Sequence, residues 1–160
     1  MNTLNIWEKL SSKSGGKWAF SKALCIKAPY FASISPKFEE LRPEFCQVRI
    51  SKSRKVTNHL GTVHAIAMCN MAELSGGTMT EVTVPDTHRW IPKGMTVEYL
   101  KKATTGLVAT ATPATAMDLT KPSEYKVNIE VKDEMNDTVF KAVITMWIST
   151  KKSVIALFNS

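Results

Sequence analysis

Alternating apolar and polar positions predict several β-strands in this chain. The clearest stretch is 125–131, where every second residue is apolar and a lysine, asparagine or glutamate lies between. A period of two buries one set of side chains and leaves the other in solvent. Related patterns predict further strands at 46–50, 95–99, 107–112 and 140–148. The sequence therefore predicts five or six antiparallel strands.

One apolar segment between these strands has a different pattern. Residues 63–75 favour a helix about 20 Å long. Thr62 or Gly61 is the expected N-cap, and the glycines at 76–77 are the expected stop. Apolar residues cover every face of this helix, which predicts that it is buried. Glu73 is its one full charge, and an unpaired charge is costly in an interior, so Glu73 is the first candidate for chemistry.

The remaining segments are less regular. Residues 1–29 predict two short helices that are separated by Gly15 and Gly16 and pack on the sheet. Prolines at 85 and 92 bracket a predicted loop that carries Arg89. The apolar tail at 154–158 receives no assignment.

Length and composition indicate a single domain. A chain of 160 residues with 44% apolar and 22% charged residues is ordinary for a soluble globular protein. We expect one domain over 1–160, with N-terminal helices in 1–29 and the core in 30–150. Three cysteines without a C-x-x-C pair favour neither a disulfide framework nor a metal site. A reducing cytoplasm fits best, and no apolar run is long enough to span a membrane.

The basic charge does not by itself indicate a partner. The chain has 21 Lys and Arg against 14 Asp and Glu, a net charge of +7. These residues are spread along the whole chain, which favours solubility. Aromatic and basic residues do not interleave as they do in single-strand-binding proteins. We therefore expect no nucleic acid partner.

The spacing Asn58-x-x-Gly61-x-x-His64, followed nine residues later by Glu73, resembles the hotdog-fold acyl-CoA thioesterase superfamily. The similarity is closest to its PaaI-like branch, and within it to an uncharacterised bacterial group defined only as a domain of unknown function. That group has a segment like Arg-Trp-Ile-Pro-Lys-Gly-Met at 89–95. The resemblance implies an α+β hotdog fold, in which an antiparallel five- to six-stranded sheet wraps around one long central helix. The N-terminal helices are additions.

The same resemblance implies a function. The chain would hydrolyse an acyl-CoA or acyl-carrier thioester at an interface of a homodimer or of a dimer of dimers. Glu73 would activate water or attack the thioester, Asn58 would place the nucleophile or the substrate, and His64 would contact the substrate. Backbone N–H groups near Gly61 and Ala65 would polarise the carbonyl. No cofactor is required, since coenzyme A enters as part of the substrate.

Each implied residue also has a structural interpretation. Glu73 would face a water-filled seam between subunits or pair with a Lys or Arg. His64 would only start the helix, and Asn58 would only stabilise its turn. The family often has His-Gly-Gly where this chain has His64-Ala65-Ile66, and the larger side chains narrow the approach to the thioester.

Helix geometry separates two of these residues. Nine residues at about 100° each place His64 and Glu73 on opposite faces, about 13 Å apart along the axis. A two-fold axis between the α-helices of two copies would bring the N-terminal turn of one copy, with His64, close to Glu73 of the other. Phosphates of coenzyme A would need cations, and the candidates are Arg54, Lys55, Arg89, Lys101 and Lys102.

Two other functions remain open at this stage. The first is a non-catalytic module that binds acyl-CoA or another apolar ligand. The second is a dehydratase of the same fold, but His59-Leu60-Gly61 matches the usual element before the helix poorly. Hydrolysis is therefore the leading expectation.

Overall fold

Two helices precede the sheet, and a third, longer helix is inserted after its second strand. The computed structural model describes residues 2–151. The predicted tail at 154–158 and the ends of the predicted 1–160 domain lie outside these residues. The helices are α1 (Thr3–Ser11), α2 (Gly16–Lys27) and α3 (Ala65–Thr83), with short 3₁₀ segments at Pro29–Ile34 and Arg54–Val56.

All the strands form one antiparallel sheet. They are β1 (Lys37–Arg42), β2 (Phe45–Ile50), β3 (His88–Tyr99), β4 (Leu107–Pro113), β5 (Ser123–Asp133) and β6 (Thr138–Thr150). Their order across the sheet is β1-β2-β4-β5-β6-β3, so that β1 and β3 are its edges. The central helix α3 contacts all six strands. The predicted sheet around one central helix is confirmed.

The helix α3 begins and ends later than the sequence indicated. His64, not Gly61 or Thr62, is its N-cap. Its C-terminus is Thr83, so Gly76 and Gly77 lie within the helix and do not stop it. A Cβ at position 76 would lie 2.9 Å from Ile144 Cδ1. Glycine is thus used here for close packing of the helix on the sheet.

Burial on every face of α3 was also predicted, and this is wrong. Ile66 is 54% exposed, and the Glu73 side chain is exposed as well. The accessible positions recur every three or four residues and therefore share one side of the helix. We call them the α3 stripe: Ile66, Cys69, Glu73, Gly77 and Glu81.

Two strands differ from the prediction. The segment that forms β1 was not assigned, and the first half of β3 was predicted to be a loop. Pro92 lies within β3, with a bulge between Pro92 and Gly94. An edge strand tolerates proline because one side of it has no strand to bond, and no strand among residues 2–151 pairs with the outer side of β3.

The N-terminal helices pack on the edge of the sheet near β1, as predicted. Trp7 of α1, Phe20 of α2 and Phe38 of β1 form an aromatic cluster. The ring centroids of Trp7 and Phe20, and those of Phe20 and Phe38, are 5.1 Å apart. Between the helices, a Cβ at Gly16 would lie only 1.7 Å from the Leu10 carbonyl oxygen. Only glycine fits there, and this contact fixes the angle at which α2 leaves α1.

Candidate functional site

The turn before α3 is built around the side chain of Asn58. Its Oδ1 accepts hydrogen bonds from the N–H groups of Leu60 at 3.0 Å and Thr62 at 3.2 Å. Its Nδ2 donates to Thr62 Oγ1 at 2.9 Å. Gly61 completes the turn with a φ of +74°, which glycine adopts without strain. Asn58 therefore shapes the turn, and its role toward substrate stays a prediction.

His64 fixes the first turn of α3. Its Nδ1 accepts the Ile66 N–H at 3.0 Å, and its own N–H donates to the Val56 carbonyl at 2.7 Å. The Ile66 N–H is thereby used. The Ala65 N–H has no acceptor within residues 2–151, and it lies at the positive end of the helix dipole, where an anion or a developing oxyanion is favoured.

A shallow pocket of about 370 Å³ opens at this end of the helix, and we call it the N-terminal pocket. Asn58 and Ala65 line it, together with Tyr99 at the end of β3. The Tyr99 hydroxyl lies 3.2 Å from Cys69 Sγ on the α3 stripe. This hydrogen bond raises the pKa of Tyr99, and desolvation adds to the effect. The contact ties the end of β3 to the first half of α3.

Glu73 belongs to a different and larger pocket, of about 470 Å³, which we call the large pocket. Its floor contains buried apolar side chains from α2, α3 and β6, and exposed charged side chains form its rim. The rim charges are Lys27, Glu73 and Glu81. Among residues 2–151, the Glu73 carboxylate has no hydrogen bond or ion pair. It is therefore available to a bound molecule.

Trp90, which the sequence did not mark as a site residue, forms one wall of the large pocket. Its Nε1 donates to the Glu81 carboxylate at 2.8 Å. A Cβ at Gly77 would lie 3.3 Å from its ring. Glu73, Gly77 and Glu81 are spaced by four residues, which places them on one side of α3 beside the Trp90 ring.

Thr78 differs from the other hydroxyl residues in the second half of α3. Ser75, Thr80 and Thr83 each donate to the carbonyl four residues before them, at 2.6 to 2.8 Å. The Thr78 side chain is 7% exposed and lines the large pocket. Its hydroxyl has no hydrogen bond within residues 2–151. It can therefore hold a water molecule or a polar group in the pocket that Glu73 also lines.

The candidate cations do not form one cluster in a single chain. Arg54 and Lys55 lie in the short 3₁₀ segment before the Asn58 turn. Lys101 and Lys102 line the N-terminal pocket, and Lys101 pairs with Asp137 at 2.9 Å. Arg89 lies near the other end of β3, about 33 Å from Tyr99 at roughly 3.3 Å per residue. These residues cannot all contact one ligand on one chain.

The structure also bears on metals and membranes. Within residues 2–151, no group of three or more His, Cys, Asp or Glu side chains is placed to hold a metal ion. The helices of this same part of the chain are all too short or too polar to cross a bilayer. The expectation that no metal or other cofactor is required stays a prediction.

Comparisons with known proteins agree with this architecture. A family model described as a domain of unknown function, DUF4442, matches residues 16–148. The crystal structure of a structural genomics target, APC5556, is 41% identical, with a TM-score of 0.80, and the match covers 93% of this chain and 98% of that one. No curated protein sequence gives a significant match.

Several similar structures carry the name thioesterase. Thioesterase HI1161 from Haemophilus influenzae is 12% identical, with a TM-score of 0.72 over 82% of this chain and 90% of that chain. A thioesterase family protein from Silicibacter pomeroyi is 11% identical, with a TM-score of 0.70 over 82% of this chain and 96% of that chain. At such identities the similarity shows the fold, which is the hotdog fold.

Proposed function

Because this chain belongs to the DUF4442 family of domains of unknown function and has the hotdog fold of known thioesterases, we propose that it hydrolyses acyl-CoA thioesters. The site would be shared between two copies of the chain. The observation that carries this proposal is the Glu73 carboxylate, which lies unpaired among residues 2–151 at the rim of an apolar pocket. A carboxylate so placed can act as a general base toward water.

One chain alone lacks part of the machinery. Thioester hydrolysis needs hydrogen-bond donors about 3 Å from the carbonyl oxygen on which negative charge develops. The free donor at the start of α3, the Ala65 N–H, is eight residues before Glu73, or about 12 Å along the axis. Glu73 and this donor also line different pockets. A single thioester cannot contact both in the same subunit.

Pairing of two β3 edges would supply the missing donor. In an antiparallel pair, the start of one β3 lies opposite the end of the other. Trp90, near the start, lines the large pocket, while Tyr99, at the end, lines the N-terminal pocket. The large pocket of one copy would then adjoin the N-terminal pocket of the second. The exposed β3 edge and the α3 stripe beside it support this arrangement.

The same pairing would gather the cations that one chain keeps apart. Arg89 of one copy would approach Lys101 and Lys102 of the second, because these residues lie at opposite ends of β3. Together they would meet the phosphates of coenzyme A, which carry several negative charges. The exposed Arg54 and Lys55 lie before the Asn58 turn and would extend this basic surface.

The chemistry would proceed in two steps. Glu73 takes a proton from a water molecule, which Thr78 helps to hold, and the water oxygen bonds to the thioester carbon. The carbonyl oxygen becomes an oxyanion and accepts the Ala65 N–H of the second copy. When the carbon–sulfur bond breaks, the sulfur receives the proton from Glu73, and a carboxylic acid and free coenzyme A leave.

The test is a panel of short, medium, long and aromatic acyl-CoAs with detection of the released thiol. The Glu73→Gln variant should lose about 100-fold or more of kcat/KM, the usual size of a general-base contribution. It should keep its fold and its oligomeric state. Glu134→Gln, an exposed glutamate in the β5–β6 turn, is the matched control and should retain full activity. Turnover by Glu73→Gln at the wild-type rate would remove Glu73 from the mechanism.

A second function is favoured by the residues that follow His64. Ile66, 54% exposed, occupies a position where the thioesterases this chain resembles often have glycine. Its N–H is already bonded to His64 Nδ1. A module that binds acyl-CoA without cleaving it would tolerate this crowding. Binding of the panel with no thiol release from the wild type would select this function.

A further inference from the structure

The floor of the large pocket is apolar, and the N-terminal helices contribute part of it together with the following 3₁₀ segment, α3 and β6. These helices were predicted from the sequence only as elements that pack on the sheet. In the structure they supply a wall of the pocket that also contains Glu73. The apolar lining residues include Ile6, Phe20, Leu24, Phe31, Leu74 and Met146.

The arrangement gives a bound molecule a direction. Glu73 is exposed at the rim, while the next residue along α3, Leu74, is 1% exposed and belongs to the floor. A thioester carbonyl at Glu73 therefore has the floor on one side and solvent on the other. The hydrated, charged coenzyme must stay on the solvent side. The acyl group is the part that enters the pocket.

The volume of the pocket limits the size of that acyl group. At about 30 Å³ for each heavy atom, the share of one water in the liquid, roughly fifteen heavy atoms would fill its 470 Å³. Part of this space lies at the open mouth. An acetyl group would leave the floor uncovered, whereas a chain of about eight to twelve carbons would cover it.

From these observations we propose that the N-terminal helices form the acyl-binding wall and that the substrate carries an apolar acyl group of about eight to twelve carbons. This proposal rests on the proposed function for the position of the thioester at Glu73. It adds the substrate class and assigns a role to α1 and α2. The wall is held by the cluster of Trp7, Phe20 and Phe38, so the pocket has a fixed depth.

Ala23 offers a way to fill the pocket without disturbing the core. It lies on α2, is exposed and lines the large pocket. Phenylalanine at this position adds six carbons that would occupy space reserved for the acyl chain. Ala32, also exposed but outside the lining of this pocket, provides the matched control.

Binding is measured by calorimetry with butanoyl-, hexanoyl-, decanoyl- and hexadecanoyl-CoA, all in the Glu73→Gln background so that no ligand is consumed. Affinity should rise up to about fourfold for each added methylene between four and ten carbons, the value expected for complete burial. The affinity should stop rising before the acyl chain reaches sixteen carbons. In Ala23→Phe the rise should stop several carbons earlier, because the ring takes the space of up to about six carbons, and Ala32→Phe should match the parent.

The outcomes separate this inference from the proposed function. Equal affinity for butanoyl- and decanoyl-CoA, or an unchanged profile in Ala23→Phe, would overturn the acyl wall even if the wild type hydrolyses thioesters. If the affinity of Ala23→Phe levels off at a shorter acyl chain than that of the parent, the acyl-binding wall is supported. If the wild type then releases no thiol from decanoyl-CoA, the hydrolase proposal fails and the binding site remains.

Discussion

His64 acts at the scale of a single residue, because its ring accepts the Ile66 N–H and replaces a missing helical bond. His64→Ala should lower the free energy of unfolding by about 1 kcal/mol, as the loss of an N-cap commonly does. His64→Asp should recover most of this loss, since aspartate is a preferred N-cap. Urea unfolding of the three proteins measures the effect.

The pair of variants also separates the two interpretations of His64. If the aspartate variant is as stable as the wild type but turns over acyl-CoA more slowly, the imidazole contacts substrate as well. Equal destabilisation by alanine and aspartate would show that capping is not what the ring contributes.

Glu73 was selected from the sequence for a reason that the structure only partly supports. It was the lone charge in an apolar helix, and the helix was taken to be buried on all sides. The carboxylate is in fact exposed, because the sheet does not cover the α3 stripe. The residue still lines the large pocket. Sequence could mark Glu73 as unusual, but the pocket depends on Phe20 and Met146, which are far from it along the chain.

At the scale of elements, Gly76 controls how closely α3 approaches the sheet. A Cβ there would lie 2.9 Å from Ile144 Cδ1 and 3.2 Å from Ile129 Cδ1. Gly76→Ala gains about 1 kcal/mol of helix propensity and loses it again, or more, through overpacking of about 1–3 kcal/mol. Its net effect should be destabilising by about 1 kcal/mol in thermal or urea unfolding.

The cause can be isolated with Ile144→Val, which removes the Cδ1 atom nearest to position 76. In that background, Gly76→Ala should cost less than in the wild type or should stabilise the protein. Additive effects of the two substitutions would show that Gly76 is not in steric contact with Ile144.

Bulges explain which strands the sequence could and could not predict. Regular alternation located β2, β4, β5, β6 and the second half of β3, at 95–99. In β1 the pairing shifts between Phe38 and Glu40, so its buried residues Phe38 and Leu41 are three apart and the period of two is lost. A shift between Pro92 and Gly94 interrupts β3 in the same way. Hydrogen bonding to β2 and β6 holds β1 and β3 in the sheet. The local alternation of apolar and polar residues does not reveal this pairing.

At the scale of the whole molecule, the candidate site is split between the two ends of α3. The sequence motif predicted this separation, since helix geometry alone puts His64 and Glu73 on opposite faces. The wall made by α1 and α2 could not be predicted, because it depends on how the first 27 residues pack on β1 and α3. The motif therefore locates the reacting groups, and the tertiary structure sets the space for the acyl chain.

The split site makes activity depend on assembly, and β3 is the element that tests it. Met95, 38% exposed, lies in the β3 edge that would pair with a second copy. Met95→Lys would bury a charge at that seam, so sedimentation should show the 17.8 kDa single chain where the wild type shows about twice that mass. The rate of hydrolysis should fall as the dimer dissociates and should recover as the protein concentration rises.

Met135→Lys, at a 78% exposed position in the β5–β6 turn, is the control and should remain dimeric and active. A Met95→Lys protein that sediments and turns over like the wild type would place the seam elsewhere on the molecule.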